Sequence, residues 1–350
     1  MSLLEDRYRY VLRLLPAPYR AEREEEMVSA FLEGAGDPSD AQSPRPRWSE
    51  VASVAALSVR VRLGGAGAAP RPSAWGRAVR LVAVLGLFYH AMMGCVWFAG
   101  FVETYGLFGA PFPDYQTRLA PAGSPERLWD IALGFAGLPW LAAFVALVRG
   151  RPRAAKILVS FALVAHFGFA LELVRAVPEE ALLITLQRGV LAALPALALA
   201  AGFHRDAPRT RHPLWVAALP AGAGALVHVI LGLLATRSPQ TPAWSWIWPW
   251  FDETGLACLA LLLATAWAVT RPRPGDGPAP VLPLALAVLV VPVALGRLLR
   301  LNLRAADPMS QVMTAVNVGQ LVALLLCGVS LAVLGARTLP ARTTLASRQD

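Results

Sequence analysis

The sequence predicts an all-α, polytopic helical membrane protein with about eight transmembrane helices and a small N-terminal cytoplasmic helical domain. Of the 350 residues, 56% are hydrophobic and only 16% are charged, and the mean hydropathy is +0.51. Apolar runs of about 18 or more residues, long enough to cross a bilayer as helices, recur over most of the chain after residue 78. The net charge of +9 lies in short arginine clusters between these runs. That distribution is typical of loops beside membrane helices, so we expect no direct binding of nucleic acid.

One segment pattern occurs twice in the apolar part of the chain. In the segment 128–152, Asp130 opens an apolar run that ends at an arginine 19 residues later, and in the segment 250–274 Asp252 has the same spacing. A helix of this length is about 28 Å long, roughly the thickness of the hydrocarbon core. Both segments close with Arg-x-Arg-Pro. Because the two aspartates lie at the ends of their spans, where a side chain reaches the interface, we expect no functional role for them.

Residues 1–64 have the character of a cytoplasmic helical prefix, which a linker at 65–78 connects to the apolar part. Apolar residues at helical spacing predict a first helix that Pro16 ends, and a second helix with an acidic run follows. A third helix is expected at about 49–63. Three helices of this size could form a small bundle that the membrane domain or a partner completes.

The prefix resembles the N-terminal helical segment of a group of uncharacterised high-GC bacterial multi-pass membrane proteins of the HAAS-like type. The resemblance covers about residues 5–64 and rests on nine residues: Tyr8, Leu14, Leu15, Pro16, Tyr19, Arg20, Glu25, Glu26 and Met27. It implies a signalling or regulatory setting in which the prefix contacts a cytoplasmic regulatory protein. The residues expected to bind that partner are Tyr8, Tyr19, Glu25, Glu26 and Met27.

Eight spans account for the apolar runs. They are expected near 79–102, 128–148, 156–177, 181–203, 213–235, 252–270, 279–300 and 311–334. None is plainly interrupted at its middle, although four prolines could kink their helices: Pro139, Pro195, Pro220 and Pro292.

Matching features in the same order predict a tandem four-plus-four repeat. The first membrane half covers 79–203, the second covers 204–336, and 337–350 form a cytoplasmic tail. His90 and His228, each followed by a glycine four residues later, occupy corresponding first spans. Four spans in each half would give both halves the same orientation, as in parallel-repeat transporters.

The loops on one side of the spans are rich in arginine, and this side is expected to face the cytoplasm of a bacterial cell. Both termini would then lie inside the cell. The opposite side carries most of the acidic residues and a tryptophan-rich loop at 241–253, which suits an interfacial belt or a lid over an external cavity. The arginines near 297–304 are an exception to the charge rule.

Charged residues inside predicted spans indicate a candidate site. Glu172 and Arg188 lie several residues inside consecutive antiparallel spans, where a direct ion pair would offset the cost of burial. Such a pair could be purely structural. Together with Arg297 and Arg300 it could instead form an external basic and acidic pocket for an anionic ligand or a lipid headgroup.

Histidines within the spans leave a second kind of site open. His90 and His228 are expected at similar depth, and histidines from facing helices can hold haem iron or a metal. An interhelical hydrogen bond next to a small packing residue explains the same pattern. Asn317 and Gln320, three residues apart, are interpreted as polar contacts of that kind.

No sequence motif points to an enzyme or to a required cofactor, because the phosphate-binding, zinc-protease and nucleophile-elbow patterns are missing. We therefore expect a non-enzymatic integral membrane protein that couples its bundle to a cytoplasmic partner through the prefix. A transporter or ligand-binding membrane protein is the alternative, and a haem-linked redox protein is a third. The sequence leaves open whether the chain forms a homo-oligomer.

Overall fold

The chain folds as a bundle of helices, several of which are long and apolar enough to cross a membrane. The structure, a computed structural model, describes residues 3–35, 45–64, 70–105, 121–176, 178–204, 207, 212–237, 243–270, 281–301 and 307–339. Every regular element in these ranges is an α-helix. Seven segments satisfy the length and composition of a membrane span: Arg71–Thr104, Pro125–Val148, Leu182–Gly202, Leu214–Leu234, Glu253–Thr270, Leu282–Leu299 and Pro308–Arg337. The prediction of a multi-pass helical membrane protein is confirmed.

Three short helices form the prefix: α1 (Leu3–Leu12), α2 (Ala17–Ala35) and α3 (Trp48–Arg62). They enclose a small apolar core of buried residues, namely Tyr8, Leu12, Leu15, Val28 and Val54. The ring of Tyr8 stacks on that of Phe31 with centroids 3.9 Å apart. The prefix therefore has a core of its own.

In the part of the chain that the structure describes, ten further helices follow the prefix. They are α4 (Pro70–Thr104), α5 (Pro125–Gly134), α6 (Leu138–Val148), α7 (Pro152–Ala176), α8 (Pro178–Gly202), α9 (Leu214–Arg237), α10 (Trp244–Phe251), α11 (Glu253–Thr270), α12 (Leu282–Leu299) and α13 (Pro308–Thr338). The predicted span 156–177 lies within α7, which is not among the seven candidate spans. Its side chains beyond Gly168 lie outside the described residues.

The prefix lies against the membrane bundle through α3, which contacts both α4 and α8. At this junction Gly76 of α4 is pressed against the backbone of Leu63, since a Cβ atom on Gly76 would lie 1.9 Å from the Leu63 carbonyl oxygen. Only glycine permits such an approach without displacing backbone. The prefix is therefore packed on the bundle at a position that requires a glycine.

The predicted uninterrupted span 128–148 is wrong in one respect, because two helices occupy it. Helix α5 ends at Gly134 and α6 begins at Leu138. Pro139, in the first turn of α6, has no N–H to donate and its ring would clash with the carbonyl four residues earlier, so a continuous helix is disfavoured. Gly137 in the break touches Gly94 of α4 backbone to backbone, so that a Cβ on Gly137 would lie 2.6 Å from the Gly94 Cα.

Helix α4 is central in the first part of the bundle and packs against α6, α8, α9 and α12. Helix α12 is central in the second part, against α8, α11 and α13. Helix α9 belongs to the predicted second half, 204–336, yet it packs on α4 and α6, and within the described ranges it makes no comparable contact with α11, α12 or α13. Packing thus crosses the predicted boundary at residue 204, and the four-plus-four repeat stays a prediction.

Candidate functional site

A buried polar cluster lies at the end of the bundle opposite the prefix, centred on Asp252. We call it the Asp252 cluster, and its members are Gln187, Arg188, Pro249, Asp252, Glu253, Thr254, Arg297, Arg300, Asn317 and Gln320. Asp252 is only 7% exposed. Asp252, which was expected to reach the membrane interface at the end of its span, therefore has its side chain enclosed by protein.

Asp252 sits at the single-residue junction between α10 and α11. Its carboxylate Oδ1 caps the start of α11, accepting from the backbone N–H of Gly255 at 2.7 Å and from the hydroxyl of Thr254 at 3.0 Å. A carboxylate here satisfies N–H groups that lack partners within the helix, and it complements the positive end of the helix dipole. Local chain geometry thus places the negative charge.

Arg297 of α12 is the counter-ion and is completely buried. Its Nη1 donates to Asp252 Oδ2 at 3.1 Å and to Asn317 Oδ1 at 2.9 Å. Its Nη2 donates to Asp252 Oδ1 at 3.0 Å and to the carbonyl of Pro249. A planar guanidinium suits this paired geometry, and the pairing offsets the cost of burying both charges.

The carbonyl of Pro249 belongs to the last turn of α10, where carbonyls lack helical partners. Arg297 and the side-chain amide of Gln320 both donate to it, the latter at 3.1 Å. Asn317 accepts a hydrogen bond from the buried Arg297 guanidinium, and Gln320 donates to the Pro249 carbonyl, which that guanidinium also binds. Both placements match the interpretation of these residues as interhelical polar contacts. Four helices, α10 to α13, are joined in this way.

Arg300 connects the cluster to α8. Its Nη1 lies 2.6 Å from Asp252 Oδ2, and its Nε donates to Gln187 Oε1 at 2.8 Å. The amide of Gln187 in turn donates to the Thr254 hydroxyl at 3.4 Å. About a third of the Arg300 side chain stays exposed, so this guanidinium can still meet a ligand.

Glu253 forms the second acidic position and pairs with Arg188, whose Nε lies 3.4 Å from Glu253 Oε2. The hydroxyl of Tyr89 on α4 donates to the Glu253 carbonyl. The predicted partner of Arg188 was Glu172, whose side chain lies outside the described residues. Three of the four predicted pocket residues, Arg188, Arg297 and Arg300, thus lie in one cluster around the two carboxylates.

Two glycines make the close packing of the cluster feasible. A Cβ on Gly255 would lie 2.2 Å from the Pro249 carbonyl oxygen and 2.6 Å from Arg297 Nη2. A Cβ on Gly296 would approach Thr254 to 3.1 Å. Neither requirement could be predicted from the residue pattern, because both arise from contacts between helices.

Two cavities flank the cluster. One of about 530 Å³ borders Asp252, Arg300 and Asn317, with Ser310 and Thr314 adding hydroxyl groups. The other, of about 330 Å³, borders Arg188 and Glu253 on the opposite side. Its further lining includes His90, Trp140, His166 and the break between α5 and α6. Volumes of this order suit small ligands.

The structure does not bring His90 and His228 together. His90 Nε2 lies 3.1 Å from the Leu191 carbonyl, and its ring stacks on Trp140. His228 Nε2 lies 2.9 Å from Glu103 Oε1. His90 lies on α4 itself, whereas His228 contacts α4 at Glu103. These two positions are roughly 20 Å apart along the helix. One haem iron or metal ion cannot bind both in this arrangement.

Predicted partner-binding residues of the prefix fall into two groups. Tyr8 is buried, and Tyr19 and Met27 pack against the same core. The side chains of Glu25 and Glu26 are 80% and 70% exposed. Glu25 is bound by Arg9 at 2.8 Å, and this hydrogen bond and charge lower the pKa of its carboxyl.

Sequence reasoning missed Gln187 and Thr254, and it gave Asp252 and Glu253 no role. The sequence did contain a signal, namely the pair of adjacent acidic residues at the end of the tryptophan-rich loop. This pair is expected on the same side of the membrane as the arginines that are an exception to the charge rule. Opposite charges at the same membrane depth are candidates for pairing.

Comparisons with known proteins give no match: no protein-family model, no curated protein and no solved structure resembles the chain closely enough to be reported.

Proposed function

We propose that this chain is a non-enzymatic regulatory protein of a bacterial cell membrane, with both termini in the cytoplasm. The membrane bundle responds to its surroundings at the Asp252 cluster, and the prefix conveys the response to a cytoplasmic protein. The resemblance of the prefix to HAAS-like segments favours this role.

The observation that carries the proposal is that the same two helices contact both the prefix and the cluster. Helix α4 packs on α3 near Gly76 and reaches Glu253 through Tyr89. Helix α8 also packs on α3, and it carries Gln187 and Arg188 at the cluster. On α4 the two contacts, at residues 76 and 89, are about 20 Å apart at 1.5 Å per residue. A shift of either helix would therefore move both regions together.

Photocrosslinking in the native host tests this function. A crosslinking amino acid replaces Tyr10, which is 69% exposed on the prefix, or Glu26 on α2. We expect adducts with one soluble protein from these positions, and we expect Arg300→Gln to change their yield at least severalfold. Trp97, exposed on the apolar surface of α4, serves as the control position and should give no such adduct.

Loss of the proposal would follow from either of two results. Prefix positions that capture no more soluble protein than position 97 would remove the partner. An adduct whose yield is the same in the parent and in Arg300→Gln would separate the prefix from the cluster.

Ligand binding or transport is the second candidate, and the break between α5 and α6 favours it. Residues 134, 136 and 137 at this break line the cavity of about 330 Å³, beside the Arg188–Glu253 pair. Interrupted membrane helices in transporters line substrate sites in this way, because their free backbone groups must face a polar space.

Cysteine labelling tests whether that cavity opens to water. In a chain whose three native cysteines are replaced, Ala165→Cys lines the cavity, whereas Leu226→Cys lies on the exposed apolar face of α9. We expect a charged, membrane-impermeant thiol reagent to modify position 165 much faster than position 226. Equal, negligible labelling of both would exclude a water-filled route to this cavity.

A further inference from the structure

A large cavity lies where the prefix meets the membrane bundle, far from the Asp252 cluster. Its volume is about 940 Å³, and α3, the turn between α6 and α7, and the end of α8 enclose it. Both the prefix and the bundle therefore contribute to its walls.

Cationic side chains line this cavity from several elements. They are Arg60 on α3, Arg151 at the turn, and Arg153 and Lys156 on α7. The imidazole of His204, after the end of α8, also lines the cavity. Among the residues that the structure describes in this lining, none is acidic. The cationic side chains of this lining favour an anion.

The turn between α6 and α7, which carries Arg151 and precedes Arg153, has a well-defined backbone geometry. Gly150 adopts a positive φ of 71°, its N–H donates to the Leu147 carbonyl, and the Arg151 N–H donates to the Ala146 carbonyl. This is the Schellman pattern that ends a helix. Pro152 then starts α7, where a missing N–H costs nothing. The arginines are thus held by fixed backbone geometry.

Lys156 is the only lysine in the chain. Its ammonium group donates to the carbonyls of Ala200 and Phe203, each at 3.0 Å, at the end of α8. An ammonium group has three N–H donors, so these two bonds leave one for a ligand. The two carbonyls also hold the charge in place.

The remaining wall is apolar and reaches the outer surface of the bundle. Leu147, Val59 and Leu197 line the cavity, and Leu197 is 65% exposed on α8. In a membrane this exposed surface faces acyl chains. An occupant with a charged head and a hydrocarbon tail fits both parts of the wall.

We propose that this cavity binds the phosphate headgroup of an anionic phospholipid. The phosphate lies among Arg60, Arg153 and Lys156, and an acyl chain runs along Leu197. Since Arg60 belongs to the prefix and the other cations to the bundle, the lipid joins the two. This site does not depend on a cytoplasmic partner, so it stands or falls separately from the proposed function.

Lipid titration of the full-length protein, followed by native mass spectrometry, tests the proposal. Phosphatidylglycerol is the anionic probe, phosphatidylcholine the zwitterionic control, and inorganic phosphate the soluble competitor. We expect saturable binding of phosphatidylglycerol and weaker binding of phosphatidylcholine. Arg153→Gln should weaken the former about fivefold, and adding Arg60→Gln should weaken it about 25-fold, since each cation near a membrane surface contributes a similar free energy.

The matched control is Arg77→Gln, because Arg77 is an exposed arginine at the same end of the bundle and does not line the cavity. It should leave phosphatidylglycerol binding unchanged. Arg153 is also exposed, so its replacement leaves the fold intact. An equal effect of Arg77→Gln and Arg153→Gln would overturn the site. If inorganic phosphate bound and phosphatidylglycerol were not preferred over phosphatidylcholine, the cations would bind a soluble anion. That result would exclude a lipid as the ligand of this site.

Discussion

The two segments that share one sequence plan have different structures. In the segment that contains Asp130, the helix passes through the aspartate and breaks later, at residues 135–137. In the segment that contains Asp252, the break falls at the aspartate itself. Asp130 is exposed, whereas Asp252 is buried among two arginines, a threonine and a backbone N–H.

This comparison shows that the position of a helix break decides what a membrane aspartate can do. At the break, Asp252 is free of the helix surface and can cap α11 while it faces Arg297 on α12. Within α5, Asp130 has no such geometry and stays at the surface. Identical spacing from the closing Arg-x-Arg-Pro therefore predicts the span but not the environment of its acidic residue.

The largest expected effect is the loss of the buried carboxylate. Asp252→Ala leaves Arg297 as an uncompensated buried charge and should lower the free energy of unfolding by about 3–5 kcal/mol. Asp130→Ala, at the exposed site, should change it by about 0.5 kcal/mol or less. Denaturant unfolding of the purified protein in detergent measures both.

The double variant Asp252→Asn with Arg297→Met is the control for this prediction. It removes both charges together and should be more stable than Asp252→Ala, since no charge is left buried without a partner. Equal destabilisation by the alanine variants at 130 and 252 would show that the two aspartates do not differ.

The spans and the cluster differ in how far the sequence could predict them. Hydropathy predicted eight spans, and seven of them correspond to the candidate spans of the structure, because crossing a bilayer demands a long apolar helix whatever its neighbours are. Burial of Asp252 depends on Arg297, 45 residues away, and Arg300 meets Gln187 across 113 residues. Which helices become neighbours is a property of packing, and no local pattern encodes it. Pro139 did carry a local signal for the break that the long apolar run obscured.

The second largest loss of stability is expected from a change in packing beside the junction between α10 and α11. Gly255→Ala forces a methyl group against the Pro249 carbonyl and the Arg297 guanidinium and should cost about 1–3 kcal/mol. Gly189→Ala on α8 is the matched control, because a Cβ there meets nothing within 4 Å. It should be neutral or slightly stabilising. Thermal unfolding of both variants measures the difference, and a larger loss at 189 than at 255 would contradict the packing described here.

Replacing either of the two arginines bound to Asp252 should also lower the free energy of unfolding. The difference between these two losses should be smaller than the difference between the losses at Asp252 and Asp130. Arg300→Gln removes a pair that is about one-third exposed and should cost about 1 kcal/mol or less. Arg297 is completely buried, and Arg297→Gln should cost several times more because it removes two hydrogen bonds to Asp252 and the donor to Asn317. If the exposed position proved the more costly of the two, Arg297 would not be the principal counter-ion.

Glu25 offers a third environment for an acidic residue, exposed but paired, and its effect should be the smallest. The hydrogen bond from Arg9 lowers the pKa of Glu25 in the folded state. The stabilisation is therefore complete above the unfolded pKa of about 4.3 and is lost as the pH falls through the lower folded value. Parent and Glu25→Gln should differ slightly in melting temperature at pH 7, and the difference should disappear as the pH falls through the lowered folded pKa of Glu25. A difference that persists in acid would exclude this pair as its cause.

Coupling between the Asp252 cluster and the prefix is tested most directly by a distance. The distance is measured between the prefix and the bundle, with and without a change in the cluster. Spin labels are placed at Trp48→Cys on α3 and Leu214→Cys on α9, both exposed, in a chain without native cysteines. Asp252→Asn keeps a good helix cap and removes only the charge, and Asp130→Asn is the control. We expect the distance distribution to shift or broaden in Asp252→Asn and to match the parent in Asp130→Asn. An unchanged distribution in folded Asp252→Asn protein would contradict coupling between the cluster and the prefix.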